Sequence, residues 1–125
     1  MKTVAIDFDG PIHLYSKGWH DGTIYDPPVE GSLESLEILR RKYCTVIFTT
    51  RDAFSVAIWL QAYGTEKVVP YWSQMWDTYP FWNDPEFILV TNLKPAAIAY
   101  IDDRGIRFKN WTQVHGALER YTGRP

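Results

Sequence analysis

At 125 residues the chain is long enough for one domain with a single core, residues 1–125. Its formal charge of −2 excludes an overall basic footprint for nucleic acid, although a local patch could still hold a short strand or a nucleotide. Cys44 is the only cysteine, which excludes an internal disulfide and fits a reducing, cytoplasmic setting. No stretch is long and apolar enough to cross a membrane, and the first apolar run meets Asp7 too soon for a signal peptide.

Thr3-Val4-Ala5-Ile6 predicts a first strand, and it runs straight into Asp7-Phe8-Asp9-Gly10. Carboxylates two residues apart fall on the same side of a strand end, with Phe8 on the other. Such close like charges repel unless a cation sits between them, and a hard divalent ion such as Mg²⁺ is the usual resolution. The stretch from Gly10 to Gly31 is rich in Gly and Pro and reads as a polar, irregular flap outside the core. Ser32 reads as the N-cap of a helix with Leu33, Leu36 and Leu39 at helical spacing and Ile38 beside them. Glu34 and Glu37 come early and Arg40, Arg41 and Lys42 late, an order that suits the helix dipole.

Thr45-Val46-Ile47-Phe48 predicts the second strand, with Cys44 a small buried residue ahead of it. A second helix is expected from about Asp52 to Tyr63, its apolar positions being Phe54, Val56, Ile58 and Leu60, and Gly64 its stop. Val68-Val69 reads as a short strand, followed by an aromatic, proline-broken stretch from Pro70 to Glu86. Phe87 to Val90 and Ala97 to Ile101 predict two more strands. Asn110 then caps a last helix with Trp111, Val114, Leu118 and Tyr121 on one face.

Alternating strands and helices imply an α/β fold, a Rossmann-like three-layer sandwich around a mainly parallel sheet. In such folds ligands gather beyond the carboxyl ends of the strands. The predicted strands end in Asp7 and Asp9, in Thr49-Thr50-Arg51, in Thr91-Asn92-Leu93-Lys94, and in Asp102-Asp103-Arg104. Carboxylates with Mg²⁺, a lysine and a hydroxyl form a phosphoryl-transfer inventory. Metal and lysine neutralise phosphate charge, a carboxylate attacks phosphorus, and a second carboxyl handles the leaving-group proton.

Asp7-Phe8-Asp9-Gly10, Phe48-Thr49, Lys94 and Asp102-Asp103, in that order, resemble the four motifs of the haloacid-dehalogenase-like (HAD) phosphotransferases. The resemblance spans about Met1 to Trp111. Within that superfamily, Lys94-Pro95, Ile101 to Arg104 and Thr49-Thr50-Arg51 look most similar to small phage and bacterial phosphatases, and to the phosphatase domain of polynucleotide kinase-phosphatases. The resemblance implies that Asp7 is the nucleophile and Asp9 the general acid/base. Thr49 would bond the phosphoryl group and Lys94 would bridge it to Asp7. Gly10, Thr50 and Arg51 would complete the substrate site. Asp7, the backbone carbonyl of Asp9 and Asp103 would hold Mg²⁺, with Asp102 supporting. A carboxylate at Asp9 favours a phosphatase over the family's dehalogenases and P-type ATPases. Pro11 departs from the usual Thr or Val; it rigidifies the turn and removes a backbone donor. The chain has no room for the family's separate cap domain, so access would be set by the Gly10–Gly31 flap and the aromatic stretch. Capless members often act on large substrates such as nucleic-acid ends.

Several residues carry two readings. Asp7 and Asp9 alone could be exposed strand-end acids, and Thr49 and Thr50 could cap the next helix. Arg51 stands near a helix N-terminus, where the dipole disfavours a cation. Either an anionic substrate or an ion pair with Asp52 or Asp84 would resolve that. Lys94 alone is an ordinary solvated lysine. His13, His20 and His115 form no site by spacing: two read as flap residues and the third as a surface helix residue. Trp72, Trp76 and Trp82, with Tyr71, Tyr79 and Phe81, are either a small satellite core under a long loop or a surface that stacks bases; Trp19 is ambiguous in the same way.

The leading expectation is a Mg²⁺-dependent phosphomonoester hydrolase whose substrate is a nucleotide or a nucleic-acid end. A polynucleotide 3′-phosphatase working with a separate kinase is the nearest alternative. A phospho-receiver domain places its acidic pair first and its acceptor Asp mid-chain, an order this chain reverses. A binding module without catalysis would not need the full set of reactive groups.

Overall fold

The computed structural model of the chain describes residues 2–71, 84–93, 97–102, 106 and 108–122, with side chains of the last helix described to residue 120. The elements are β1 (Thr3–Asp7), α1 (Ser32–Lys42), β2 (Cys44–Phe48), α2 (Ala53–Ala62), β3 (Val68–Tyr71), β4 (Ile88–Thr91), β5 (Ala99–Ile101) and α3 (Trp111–Thr122). The strands form one five-stranded sheet in the order β3-β4-β2-β1-β5. Every pairing is parallel. The strand sequences require this arrangement. Val4, Ala5 and Ile6 of β1 and all four residues of β4 are buried, as expected of strands in a sheet flanked by helices.

β1 lies between β2 and β5, with Asp7 level with Phe48 and Ile6 level with both Ile47 and Ile101. That register brings the residues just past the three strand ends to one height. Leu36 and Leu39 of α1, Val56 and Leu60 of α2, and Val114 and Leu118 of α3 join the strands in one core. Each such side chain contributes about 1.5–3 kcal/mol by leaving water.

Local structure refines or departs from the sequence reading at four places. Ser32 is the first residue of α1, and its N-cap is Gly31, at φ 81° and with no side-chain cap bond. The chain enters α1 from a left-handed turn that glycine adopts cheaply, and that geometry outweighs serine's capping preference. In α2 the core face is Ala53, Val56, Ala57 and Leu60, whereas Phe54 and Ile58 are 47% and 66% exposed. Residues at even spacing cannot share one side of a helix; those at i, i+3, i+4 and i+7 do. β3 extends through Pro70 to Tyr71, which an edge strand tolerates because proline's missing N–H costs no ladder bond there. The Gly10–Gly31 segment is not wholly outside the core, since Ile12 and His13 are completely buried.

Asp52, and not Thr49 or Thr50, caps α2, its carboxylate accepting from the Ser55 N–H at 3.1 Å, while Asn110 caps α3 as expected, its Oδ1 accepting from the Gln113 N–H at 2.8 Å. Trp111 Nε1–H donates to the Pro11 carbonyl at 3.0 Å, tying the start of α3 to the turn after β1. Among the described residues no helix is long and apolar enough to cross a membrane. Trp72, Trp76, Tyr79, Phe81 and Trp82 lie outside the described residues, as does the side chain of Tyr121.

Candidate active site

A hollow of about 570 Å³ opens at the carboxyl ends of β1, β2 and β5. Asp7, Asp9 and Gly10 line it from the end of β1, Thr49 and Thr50 from the end of β2, and Tyr100 and Asp102 from β5. Tyr15 joins them from the flap. Winding reverses beside β1, with β2 on one side and β5 on the other, and this is the kind of switch point where α/β sheets hold ligands. Asp7 and Asp9 therefore share one side of the strand end, while Phe8 between them is completely buried in the core.

Thr49 is buried, and its Oγ1 accepts from the Arg51 backbone N–H at 3.1 Å. That bond uses an oxygen lone pair and leaves the hydroxyl proton to donate elsewhere. The Thr49 N–H is held by the Thr91 carbonyl at 2.9 Å. After β5 the Asp102 N–H donates to the Ile106 carbonyl at 3.2 Å, and the Ile106 N–H donates to the Tyr100 carbonyl at 2.7 Å. These two bonds hold the backbone that carries Asp102.

Arg51 does not line this hollow. It is 5% exposed and paired with Asp9. Its Nε–H donates to both Asp9 oxygens, at 3.0 Å to Oδ1 and 2.9 Å to Oδ2, and its Nη1–H donates to the Gly22 carbonyl at 2.8 Å. Of the two resolutions the sequence offered, an anionic substrate or an ion pair with Asp52 or Asp84, the structure shows an ion pair, with Asp9 as its partner. The guanidinium carbon sits 4.5 Å from the Trp19 ring centre and 5.8 Å from that of Tyr15, within cation–π range. Gly22 permits the Trp19 placement: at φ 84°, a Cβ there would come within 3.2 Å of the indole. Asp52 caps α2 instead, and the Ser55 hydrogen bonds hold its carboxyl below the ordinary range.

The flap is a folded loop held by its own side chains. Asp26 accepts from the Ser16 N–H at 2.6 Å, and its pKa is lowered by the Ser16 side chain first and by this N–H second. Tyr25 Oη accepts from the Lys17 N–H at 2.6 Å and donates to the Gly18 carbonyl at 2.8 Å. Asp21 accepts from both the Thr23 hydroxyl and its N–H, which lowers its pKa too. His13, read from the sequence as a flap residue, is instead completely buried at the root of this loop, with Nδ1 2.8 Å from Asp9 Oδ1. The sequence signal for it was the four-residue interval from Asp9, spanned by the compact Gly10-Pro11 turn. His115, read as a surface residue, is partly buried, with Nε2 3.1 Å from Ser35 Oγ. Cys44 is buried as expected, and burial raises its thiol pKa.

The structure thus brings together Asp7, Asp9, Gly10, Thr49, Thr50 and Asp102 around one hollow. Lys94 and Asp103 lie outside the described residues. Among the described residues no three His, Cys, Asp or Glu side chains cluster closely enough to hold a metal ion. Among the described residues the lining side chains able to ligate a cation carry oxygen: the carboxylates of Asp7, Asp9 and Asp102 and the hydroxyls of Thr49 and Thr50 with those of Tyr15 and Tyr100. That set suits Mg²⁺, which takes one or two carboxylates and keeps several waters. In comparison with known proteins, no family model, no curated protein and no solved structure matches the chain.

Proposed function

We propose that the chain is a Mg²⁺-dependent phosphomonoester hydrolase of the HAD type, with no separate cap domain, acting through an aspartyl-phosphate on Asp7. The observation that carries this reading is the shared hollow, in which Asp7, Asp9, Thr49 and Asp102 meet from three neighbouring parallel strands. A phosphoryl-transfer site needs a nucleophile, an acid/base, a hydroxyl donor and an anionic metal ligand within one small volume. These four residues supply them.

In this reading an Asp7 carboxylate oxygen attacks phosphorus, and the bond from phosphorus to the ester oxygen breaks. Asp9 gives its proton to the departing oxygen. Water then attacks phosphorus, Asp9 takes the water's proton, and phosphate leaves with Asp7 restored. Thr49 Oγ1–H bonds a non-bridging phosphoryl oxygen, and Lys94 neutralises the same group. Mg²⁺, held by Asp7, Asp102, Asp103 and the Asp9 carbonyl, would supply charge neutralisation at the phosphoryl oxygens. The substrate is a phosphate monoester, with nucleotides or nucleic-acid ends the first to test.

The decisive experiment is hydrolysis of p-nitrophenyl phosphate by the wild-type protein and by Asp7→Asn, with Mg²⁺ and with chelator. Removing a covalent nucleophile costs up to the order of 10⁶ in kcat. The wild type should turn over only with Mg²⁺, and Asp7→Asn should be inert while still folded. Undiminished turnover by Asp7→Asn, or by the wild type in chelator, would end this reading.

A further inference from the structure

Among the described residues of the site His13 is the one completely buried titratable side chain, and the mechanism above does not use it. Its two ring nitrogens have different partners. Nε2 lies 3.0 Å from the backbone N of Asp26, and Nδ1 lies 2.8 Å from Asp9 Oδ1. A backbone N–H can only donate, so Nε2 must present its lone pair. The ring proton then sits on Nδ1 and points at Asp9. The flap backbone therefore selects the tautomer, and the tautomer makes His13 a donor to the carboxylate.

The ring itself has little freedom. Phe8 stacks on it at 5.7 Å between centres, and Tyr15, Tyr25 and Trp59 meet it edge-on at 5.8, 5.1 and 6.0 Å. Its backbone is held as well: the His13 N–H donates to the Phe8 carbonyl at 3.0 Å, and the His13 carbonyl accepts from the Gly10 N–H at 2.8 Å. His13 contacts only one of the two Asp9 oxygens. Among the described residues Oδ1 takes His13 and a share of Arg51 Nε, whereas Oδ2 takes the Arg51 share alone.

We propose that His13 is a positioning residue for Asp9: it pins Oδ1 and so presents Oδ2 as the oxygen that exchanges a proton with the leaving group. The proposal rests on the phosphatase reading. Bookkeeping is simple. The proton given to the departing ester oxygen comes from Oδ2, the proton of the attacking water returns to Oδ2, and the Nδ1 proton of His13 stays in place throughout. Asp26 contributes through its backbone alone, and acts on the acid/base through His13.

The test compares two variants on two esters. His13→Phe keeps the ring and its stacking but has no donor. His13→Asn places an amide N–H near the Nδ1 position. With a poor alkyl leaving group that needs a proton, His13→Phe should lose at least about 10-fold in kcat relative to its loss on p-nitrophenyl phosphate, a part of the roughly 10²–10⁴-fold that acid–base catalysis supplies. His13→Asn should recover most of that selective loss. Equal losses on both esters, or no recovery with Asn, would overturn the proposal. A second measurement needs neither variant nor turnover: nitrogen-15 NMR of the wild-type imidazoles should find His13 protonated at Nδ1 and a slowly exchanging ring proton. Protonation at Nε2 would overturn the proposal by itself. If the wild type hydrolyses neither ester, the phosphatase reading fails, and this is distinguishable because the NMR result still reports on the His13–Asp9 bond.

Discussion

Arg51, from the tip of β2, grips Asp9, from the tip of β1, with a single N–H shared between both carboxylate oxygens at 3.0 and 2.9 Å. The same guanidinium reaches the Gly22 carbonyl of the flap, while Trp19 covers its face. One buried cation therefore joins two strand ends and a loop. A lysine could offer charge there but no planar fork.

Arg51→Met should be strongly destabilising. Removing one partner of a buried pair leaves the other uncompensated, at about 3–5 kcal/mol. Arg51→Lys should recover only part of this, because its single ammonium cannot serve Asp9 and Gly22 in the same geometry. Urea denaturation of the three proteins checks the order wild type, then Lys, then Met. A Met variant as stable as the wild type would show that the pair contributes nothing to the fold.

Asp9→Asn should slow alkyl phosphates by about 10²–10⁴-fold and aryl phosphates with good leaving groups much less. The comparison must be made within the one variant, because Asp9→Asn also leaves Arg51 without its counter-charge and lowers stability on its own. A ratio of kcat values between esters removes that common loss. An unchanged ratio would take Asp9 out of the acid/base role.

Mg²⁺ should raise the melting temperature of the wild-type protein. Asp7, Asp9 and Asp102 bring negative charge to one hollow, and an ion that binds only the folded state stabilises it by about 2.7 kcal/mol at a concentration of 100 times Kd. Asp102→Ala should shrink the shift and Asp103→Ala should abolish it. Thermal scans over a Mg²⁺ series read this directly. A wild-type melting temperature indifferent to millimolar Mg²⁺ would count against the metal assignment.

Stability should fall on the acid side through His115. Burial, with help from Lys42 and against Glu119, holds its pKa below the ordinary value. The unfolded chain then takes up a proton at a pH where the folded chain does not. The contribution is fully present above the unfolded value of about 6.5 and is lost as pH falls from there toward the lower folded value. His115→Gln removes the titration, so its melting temperature should change less than the wild type's between about pH 8 and about pH 5. Parallel curves for the two proteins would assign the acid sensitivity elsewhere.

The strands and the polar groups Asp7, Asp9, Thr49, Thr50 and Asp102 at their ends were legible in the sequence because both are local signals. An unbroken run such as Val4-Ala5-Ile6 suits only a strand covered on both faces, and the residue after it must sit at the sheet's edge. What could not be read was anything set by a distant partner. Arg51 is one residue from Asp52 in the chain, yet Asp52 spends its carboxylate on capping α2, and Asp9, from another strand, takes the guanidinium. His13 looked like a polar flap residue because its burial depends on Tyr25 and Trp59 arriving from elsewhere. Ser32 was misread for a local reason: the left-handed backbone before it is a property of Gly31.

The position of β1 also constrains how the protein is built over time. Val4 pairs on one side with Thr45 and on the other with Ala99, and Pro11 is held by Trp111. During synthesis the strand that carries Asp7 emerges long before its second neighbour and before the helix that braces its turn. Pairing across such separations carries a large loop-closure cost and is slow. Until β5 arrives, one edge of β1 stays open and able to pair with another chain. The hollow at the strand ends is therefore among the last features to be completed, and a chain stalled before β5 would hold the Asp7 and Asp9 carboxylates on an unfinished, aggregation-prone edge.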